Sequence, residues 1–391
     1  MQRTSHVRAG QLVVAEIAVA AVVVAAFGPA WVLIGVGALA AAVLVATFGR
    51  AGGRWWYEAV GSQRRFRRRR RLAAEYVLAA AVGTSAGQSH LPWLRTLASS
   101  LTLRAVQVGT VTVGVGTDQD GWFAAVEVGS FWEDDLVLAQ EDQPASPWAP
   151  GGAIPNAVGS VPFAELASLV KPGPDRAAVS CVQVVLAAGD RPGEPRPAWV
   201  AVRVTPADAL AAERSRGVAA VERSVAAAAL RAARTLDGHG WPARAVGADG
   251  LLAVLVEATG LDGPPQEHWS VWRSGRLVRT HYTVTGWTSA HGTLAPGVTQ
   301  VSVSFTRLGE PAVLAAVAAQ AAALVRLSRD VVQACAAAGV RLRRLDGEQA
   351  PAAYAAAPTA MPPHLGLDRR GGGTELAEGP GAGRVTTSSA V

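Results

Sequence analysis

The chain has 391 residues, enough for one large domain or two smaller ones, and half are hydrophobic while only 6% are aromatic. Lys171 is the sole lysine, and the net charge of +6 sits in one N-terminal cluster of arginines, which argues against a general nucleic-acid-binding domain. Cys181 and Cys335 are the only cysteines, and their spacing fits neither a disulfide framework nor a C-x-x-C metal site.

From Leu12 to Phe27 only Glu16 is charged, and from Ala30 to Phe48 nothing is. Counted from Ala9 and from Ala30, each run is about 19 residues. At roughly 1.5 Å per helical residue each reaches about 28 Å, close to the thickness of a hydrocarbon core. Gly28-Pro29 breaks the helix between them, so residues 11–49 read as a transmembrane helical hairpin. A cleavable signal sequence ending at Gly28-Pro29-Ala30 is disfavoured, because a second apolar run follows at once. Arg3 and Arg8 precede the hairpin and the arginine cluster follows it, while the connector carries no charge. By the positive-inside rule both ends face the cytoplasm, with residues 1–10 a cytosolic N-terminus and the protein a multi-pass inner-membrane protein. Glu16 is the one ionisable residue in the apolar runs; it reads either as snorkelling to the interface or as an intramembrane polar contact with another subunit.

Residues 50–72 form an Arg-rich juxtamembrane collar. Trp55, Trp56 and Tyr57 suit an aromatic belt, and Arg64, Arg65, Arg67, Arg68, Arg69, Arg70 and Arg71 run into a helix leaving the membrane. Placed here, these arginines are expected to meet anionic lipid headgroups rather than nucleic acid.

Residues 73–360 read as a cytosolic α/β domain, with α+β as the neighbouring class. Residues 103–131 predict one β-hairpin, with arms at Val106–Val115 and Phe123–Val128 and its turn at Asp118-Gln119-Asp120-Gly121. The Asp-x-Asp there is also a divalent-metal pattern of some sugar-nucleotide enzymes, but Asp and Gly are foremost turn residues. A loop is expected over 139–160, a short helix over 162–170, a strand over 178–186 and a strong alternating strand over 198–206. Thr205-Pro206-Ala207-Asp208 starts a helix running to about Leu236; a short strand over 243–246, Asp249-Gly250 and a helix over 251–258 follow.

A similar order recurs about a hundred residues later: a strand at Val301–Phe305, a long helix opened by Glu310-Pro311 and ended by Gly339, a short strand at 340–345, Asp346-Gly347, and a helix over 352–357. This predicts two related β-α-β-α modules. Between them Glu267 to Trp287 reads as a second hairpin turning at Ser274-Gly275, in which His268 and His281 are placed to pair across the strands. Its tryptophans Trp269, Trp272 and Trp287 are the possible partner surface. The tail, 361–391, has a disordered composition.

No Walker A loop, complete dinucleotide fingerprint, G-x-S-x-G or H-E-x-x-H pattern is present. The residues give no catalytic, cofactor-binding or metal-ligating set.

The hairpin and collar, Pro197-Ala198-Trp199-Val200-Ala201-Val202-Arg203, the run from Glu267-His268-Trp269 to Trp287, and Arg344-Leu345-Asp346-Gly347-Glu348-Gln349 together resemble the EccE component of type VII (ESX) secretion systems. The resemblance implies a non-ATPase, non-catalytic subunit of an inner-membrane protein-transport complex, with EccB, the ATPase EccC and EccD as partners and no cofactor. It also implies a cytosolic fold similar to glycosyltransferase-like domains, with no catalytic residues to carry over. A membrane-tethered transferase acting on a sugar-nucleotide or lipid-linked substrate is the alternative, motivated by Asp118-Gln119-Asp120 alone.

Overall fold

A computed structural model describes residues 9–51, 54–83, 90–129, 162–171, 179–187, 198–212, 217–287, 296–307 and 311–361. Arg3 and Arg8, the loop expected over 139–160, and nearly all of the tail lie outside these residues, as do the side chains of Trp55, Trp56 and Tyr57.

Two apolar helices open the chain, α1 (Ala9–Ala25) and α2 (Ala30–Phe48), and they pack on each other. Their connector is a turn at Ala26–Gly28, after which Pro29 caps α2 in extended conformation. Helix α2, at 19 residues, is long and apolar enough to cross a membrane. Helix α1 stops at Ala25 rather than Phe27, because the turn takes its last residues, and its apolar stretch Leu12–Ala25 is shorter than a full span. A two-residue strand pair follows, β1 (Arg50–Ala51) with β2 (Arg54–Trp55), and then the 28-residue collar helix α3 (Trp56–Gly83) and the short α4 (His90–Leu97).

The rest is a mixed α/β body around one antiparallel sheet. Its strands are β3 (Thr102–Val108), β4 (Val111–Asp118), β5 (Gly121–Val128), β6 (Cys181–Ala187), β7 (Ala198–Val204), β8 (Ala243–Ala245), β9 (Gln266–Glu267), β10 (Trp272–Ser274), β11 (Leu277–Thr285), β12 (Gln300–Thr306), β13 (Ala312–Ala319) and β14 (Arg341–Arg344). Its helices are α5 (Phe163–Ser168), α6 (Pro206–Ala212), α7 (Val218–Gly238), α8 (Ala248–Thr259), α9 (Ala321–Ala337) and α10 (Gln349–Ala356). The strand order is β3-β4-β5-β7-β6-β12-β13-β11-β10-β9, with β8 on β5 and β14 on β11. Outward from the central β6–β12 pair, where Val184 faces Val303, both sides read in the same order: β7, β5, β4 on one and β13, β11, β10 on the other.

Alternation puts one set of strand residues on each face. Val126, Val184, Val202, Val303, Ala315 and Tyr282 point to the layer holding α7 and α9. In α7 the buried positions Val221, Val225, Ala228, Ala229, Ala232 and Leu236 recur at helical spacing, and the alanines let the helix lie close to the strands. Phe123, Ala125, Val185 and Trp199 point the other way, to α4, α8 and α10.

Three expectations are corrected. The first arm of the first hairpin is itself two strands, because the chain reverses at Gly109-Thr110, where Gly109 has φ +61° and Val108 pairs with Val111. The turn at Asp118–Gly121 stands as expected: Asp118 Oδ1 accepts the Asp120 N–H at 2.8 Å and Asp118 pairs with Gly121. Ala312–Ala319 is a strand, not the start of a helix. It lies between β12 and β11 with Val313, Ala315 and Val317 buried on one face and Leu314 and Ala316 on the other. A strand covered on both faces has a continuous apolar run, which spacing alone does not tell from a helix, and alanine then tips the reading wrongly. The β-α-β-α modules therefore do not occur in the predicted form, since the strand before the second long helix is β13 and not β12.

Candidate functional site: the collar helix against the sheet end

Helix α3 carries its arginines on two faces. At 3.6 residues per turn, Ser62, Arg65, Phe66 and Arg69 form one stripe, and Arg64, Arg67, Arg68, Arg71 and Glu75 lie on the opposite side. The first stripe docks on the body. Arg69 forks onto Glu267 in β9, with Nε to Oε2 at 3.2 Å and Nη2 to Oε1 at 3.0 Å, and Nη2 also donates to the Gly347 carbonyl. Arg65 reaches Glu348 Oε1 at 3.2 Å. Phe66 is buried edge-on to the Trp269 ring, with centroids 5.5 Å apart, and Arg70 lies over Phe66 from within the helix.

The receiving surface is built by two loops. Gly347, at φ +75°, donates its N–H to the Trp269 carbonyl, and a Cβ there would lie 2.5 Å from the Trp269 ring. Glu267 also accepts the Ala350 N–H at 3.1 Å, capping the first turn of α10 from a different strand. The side chains of Glu267 and Glu348 are only 5% and 4% exposed, so each carboxylate depends on the collar arginine for its counter-charge.

The second arginine stripe faces outward. Arg64, Arg67, Arg68 and Arg71 are exposed and line one open surface pocket with Leu72 and Glu75. Glu16 is exposed on the outer side of the α1–α2 pair.

The tryptophans separate. Trp269 is 40% exposed beside Phe66. Trp272 is corrected from partner surface to core: it is 2% exposed and its Nε1 donates to Thr259 O at 3.1 Å. Trp287 is half-buried and packs edge-on to Phe163 on the α7 face. His268 and His281 do not pair, because His281 lies opposite Ala316 of β13 while His268 is exposed beyond β9. His281 meets Gln349, with Nδ1 to Oε1 at 3.2 Å; burial, then the charge of Arg279, pushes it down to about 3 against the opposing pull of Gln349.

The Asp-x-Asp pattern resolves into a buried ion pair. Arg203 of β7 forks onto Asp118 at 2.7 and 2.8 Å, Nε donates to Thr359 O at 2.9 Å, and Tyr354 Oη donates to Asp118 Oδ2 at 2.8 Å. Burial pushes the Asp118 carboxyl up, but the Arg203 hydrogen bonds and charge outweigh it and hold it below its ordinary value. Burial likewise pushes the Cys181 thiol up to about 12, only partly offset by Arg203. Both oxygens of Asp118 are engaged, and among the described residues no group of three or more His, Cys, Asp or Glu is placed to hold a metal ion. Sequence reasoning missed Arg203, Tyr354 and Thr359, which lie far apart in the chain; an arginine on an otherwise apolar alternating strand was the available signal.

Residues 194–284, from β7 through nearly all of β11, match the model of a family described as "putative type VII ESX secretion system translocon, EccE". Over this segment, and not the chain as a whole, the sequence is similar to that family. The match takes in Arg203, Glu267, Trp269 and Trp272, while the collar and Glu348 lie outside it. It takes in Pro197–Arg203 and most of Glu267–Trp287 but neither the hairpin and collar nor Arg344–Gln349, on which the resemblance also rests. No curated protein matches the chain.

Proposed function

We propose that this chain is a non-catalytic structural subunit of a type VII protein secretion complex in the inner membrane. The match of residues 194–284 to the EccE family, described as a putative secretion translocon, supports this reading. The apolar pair α1–α2 serves as a transmembrane hairpin with both termini cytoplasmic, supported by α2 being long enough to span and by arginines on both flanks of the pair. The body built on the antiparallel sheet then lies on the cytosolic side. The outward arginines of α3 meet anionic lipid, at about 1 kcal/mol per residue near the surface. EccB, EccC and EccD are the partners, Trp269 is a surface anchor for one of them, and Glu16 is available for a polar contact inside the bilayer.

The test is purification of the tagged full chain from its native membrane in mild detergent. EccB, EccC and EccD are expected to co-purify, and a monodisperse monomer would refute the proposal.

A further inference from the structure

The seven arginines from Arg64 to Arg71 look alike in sequence, yet the fold uses them for two purposes. Arg65 and Arg69 face nearly buried carboxylates on the body, and Arg69 makes a planar fork, the geometry by which guanidinium recognises carboxylate. Phe66 sits between them on Trp269. Among the described residues Glu348 Oε2 is buried without a hydrogen-bond partner, so this carboxylate leans on Arg65 for its charge compensation. Arg64, Arg67, Arg68 and Arg71 make none of these contacts with the body and point to the opposite side. Helix α3 starts at Trp56, shortly after α2 ends at Phe48, and the two helices touch, so the outward stripe stays close to the end of the apolar span.

We infer that α3 is a two-sided adaptor: Arg65, Phe66 and Arg69 lock the body to the helix through Glu267, Glu348 and Trp269, while Arg64, Arg67, Arg68 and Arg71 bind the phosphates of anionic lipid, so that the sheet is held in one orientation under the membrane. This rests on the membrane placement proposed above, but not on the identity of the secretion partners. The occupant of the outward stripe is the lipid surface, because the stripe is tethered beside α2. Arg65 and Arg69 are positioning residues that set where the body sits.

The experiment uses the full chain in lipid nanodiscs, with spin labels at Gln63→Cys and Arg276→Cys; both positions are exposed and outside both stripes, and the native Cys181 and Cys335 are buried. A narrow distance distribution is expected for the parent, broadened several-fold by Arg69→Glu, intermediate for Arg69→Lys, and unchanged by Arg68→Glu. An equal response to Arg68→Glu and Arg69→Glu, or no response to Arg69→Glu, would overturn the lock. In a second arm, a label at Arg68→Cys is expected to lose most of its accessibility to an aqueous nickel chelate in phosphatidylglycerol discs but not in phosphatidylcholine discs. Equal accessibility in the two lipids, or protection by inorganic phosphate in phosphatidylcholine discs, would overturn the lipid assignment. Co-purification with secretion subunits is read separately, so failure here and failure of the proposed function are distinguishable.

Discussion

Replacing Arg203 with alanine removes the centre of the buried polar network. The guanidinium is fully buried, forks onto Asp118, donates to the Thr359 carbonyl and lies 5.0 Å from the centroid of the Phe123 ring. In Arg203→Ala the Asp118 carboxylate keeps, among the described residues, the Tyr354 hydroxyl and the Asp120 N–H, inside a region closed to water. Leaving one member of a buried pair uncompensated costs about 3–5 kcal/mol. At about 2–4 °C of Tm per kcal/mol for a body of this size, the melting temperature should fall by roughly 6–20 °C. Differential scanning calorimetry of the detergent-solubilised chain measures this. The double change Arg203→Met with Asp118→Leu should recover most of the loss, since replacing both charges by packed apolar groups is often close to neutral. A fall below about 2 °C for Arg203→Ala would show that the network adds little to stability and refute the reasoning.

Two further predictions follow from the same geometry. Because His281 is held at about 3 against an ordinary 6.5, the unfolded chain takes up a proton that the folded chain refuses; stability should decline below pH 6.5 by up to about 1.4 kcal/mol per pH unit and level off near pH 3. Asp118 adds to this at the acid end, since a carboxyl held below its ordinary 3.8 contributes stability that is lost as pH falls through its folded value; His281→Gln should flatten the upper part of the decline in urea titrations, and an unchanged slope would refute the assignment. Gly347→Ala places a methyl group against the Trp269 ring at a positive φ, so it should cost about 1–3 kcal/mol in urea titrations followed by tryptophan fluorescence, and a neutral result would mean the loop is not clamped as described.

Local chemistry made the apolar pair, the collar, the turns at Asp118–Gly121 and Ser274-Gly275, and the alternating strand at Ala198–Val204 legible from the residues alone. Each is set by neighbours in the chain: a break at Gly28-Pro29, an Asx turn, a period of two. Thr205 and Asp208 likewise start α6 where expected, with Thr205 Oγ1 accepting the Asp208 N–H at 3.3 Å, but the single helix expected to Leu236 is two: α6 ends at Ala212 and α7 starts after Gly217, whose φ of +72° is outside a helix. Ala312–Ala319 defeated that reading because its conformation is decided by β11 and β12 on its flanks.

The sequence by itself determined where the chain is too apolar or too cationic for an ordinary surface, because hydropathy and charge are summed over adjacent residues. Only the tertiary structure decided which arginines matter to which neighbour. Arg69 and Arg68 are adjacent in sequence, yet a 100° rotation about the helix axis gives one a buried carboxylate and the other the outside. Glu267 and Glu348 are 81 residues apart, and Asp118, Arg203 and Tyr354 span 236. Buried charges must find partners wherever the fold brings them, and local pattern carries no record of that distance.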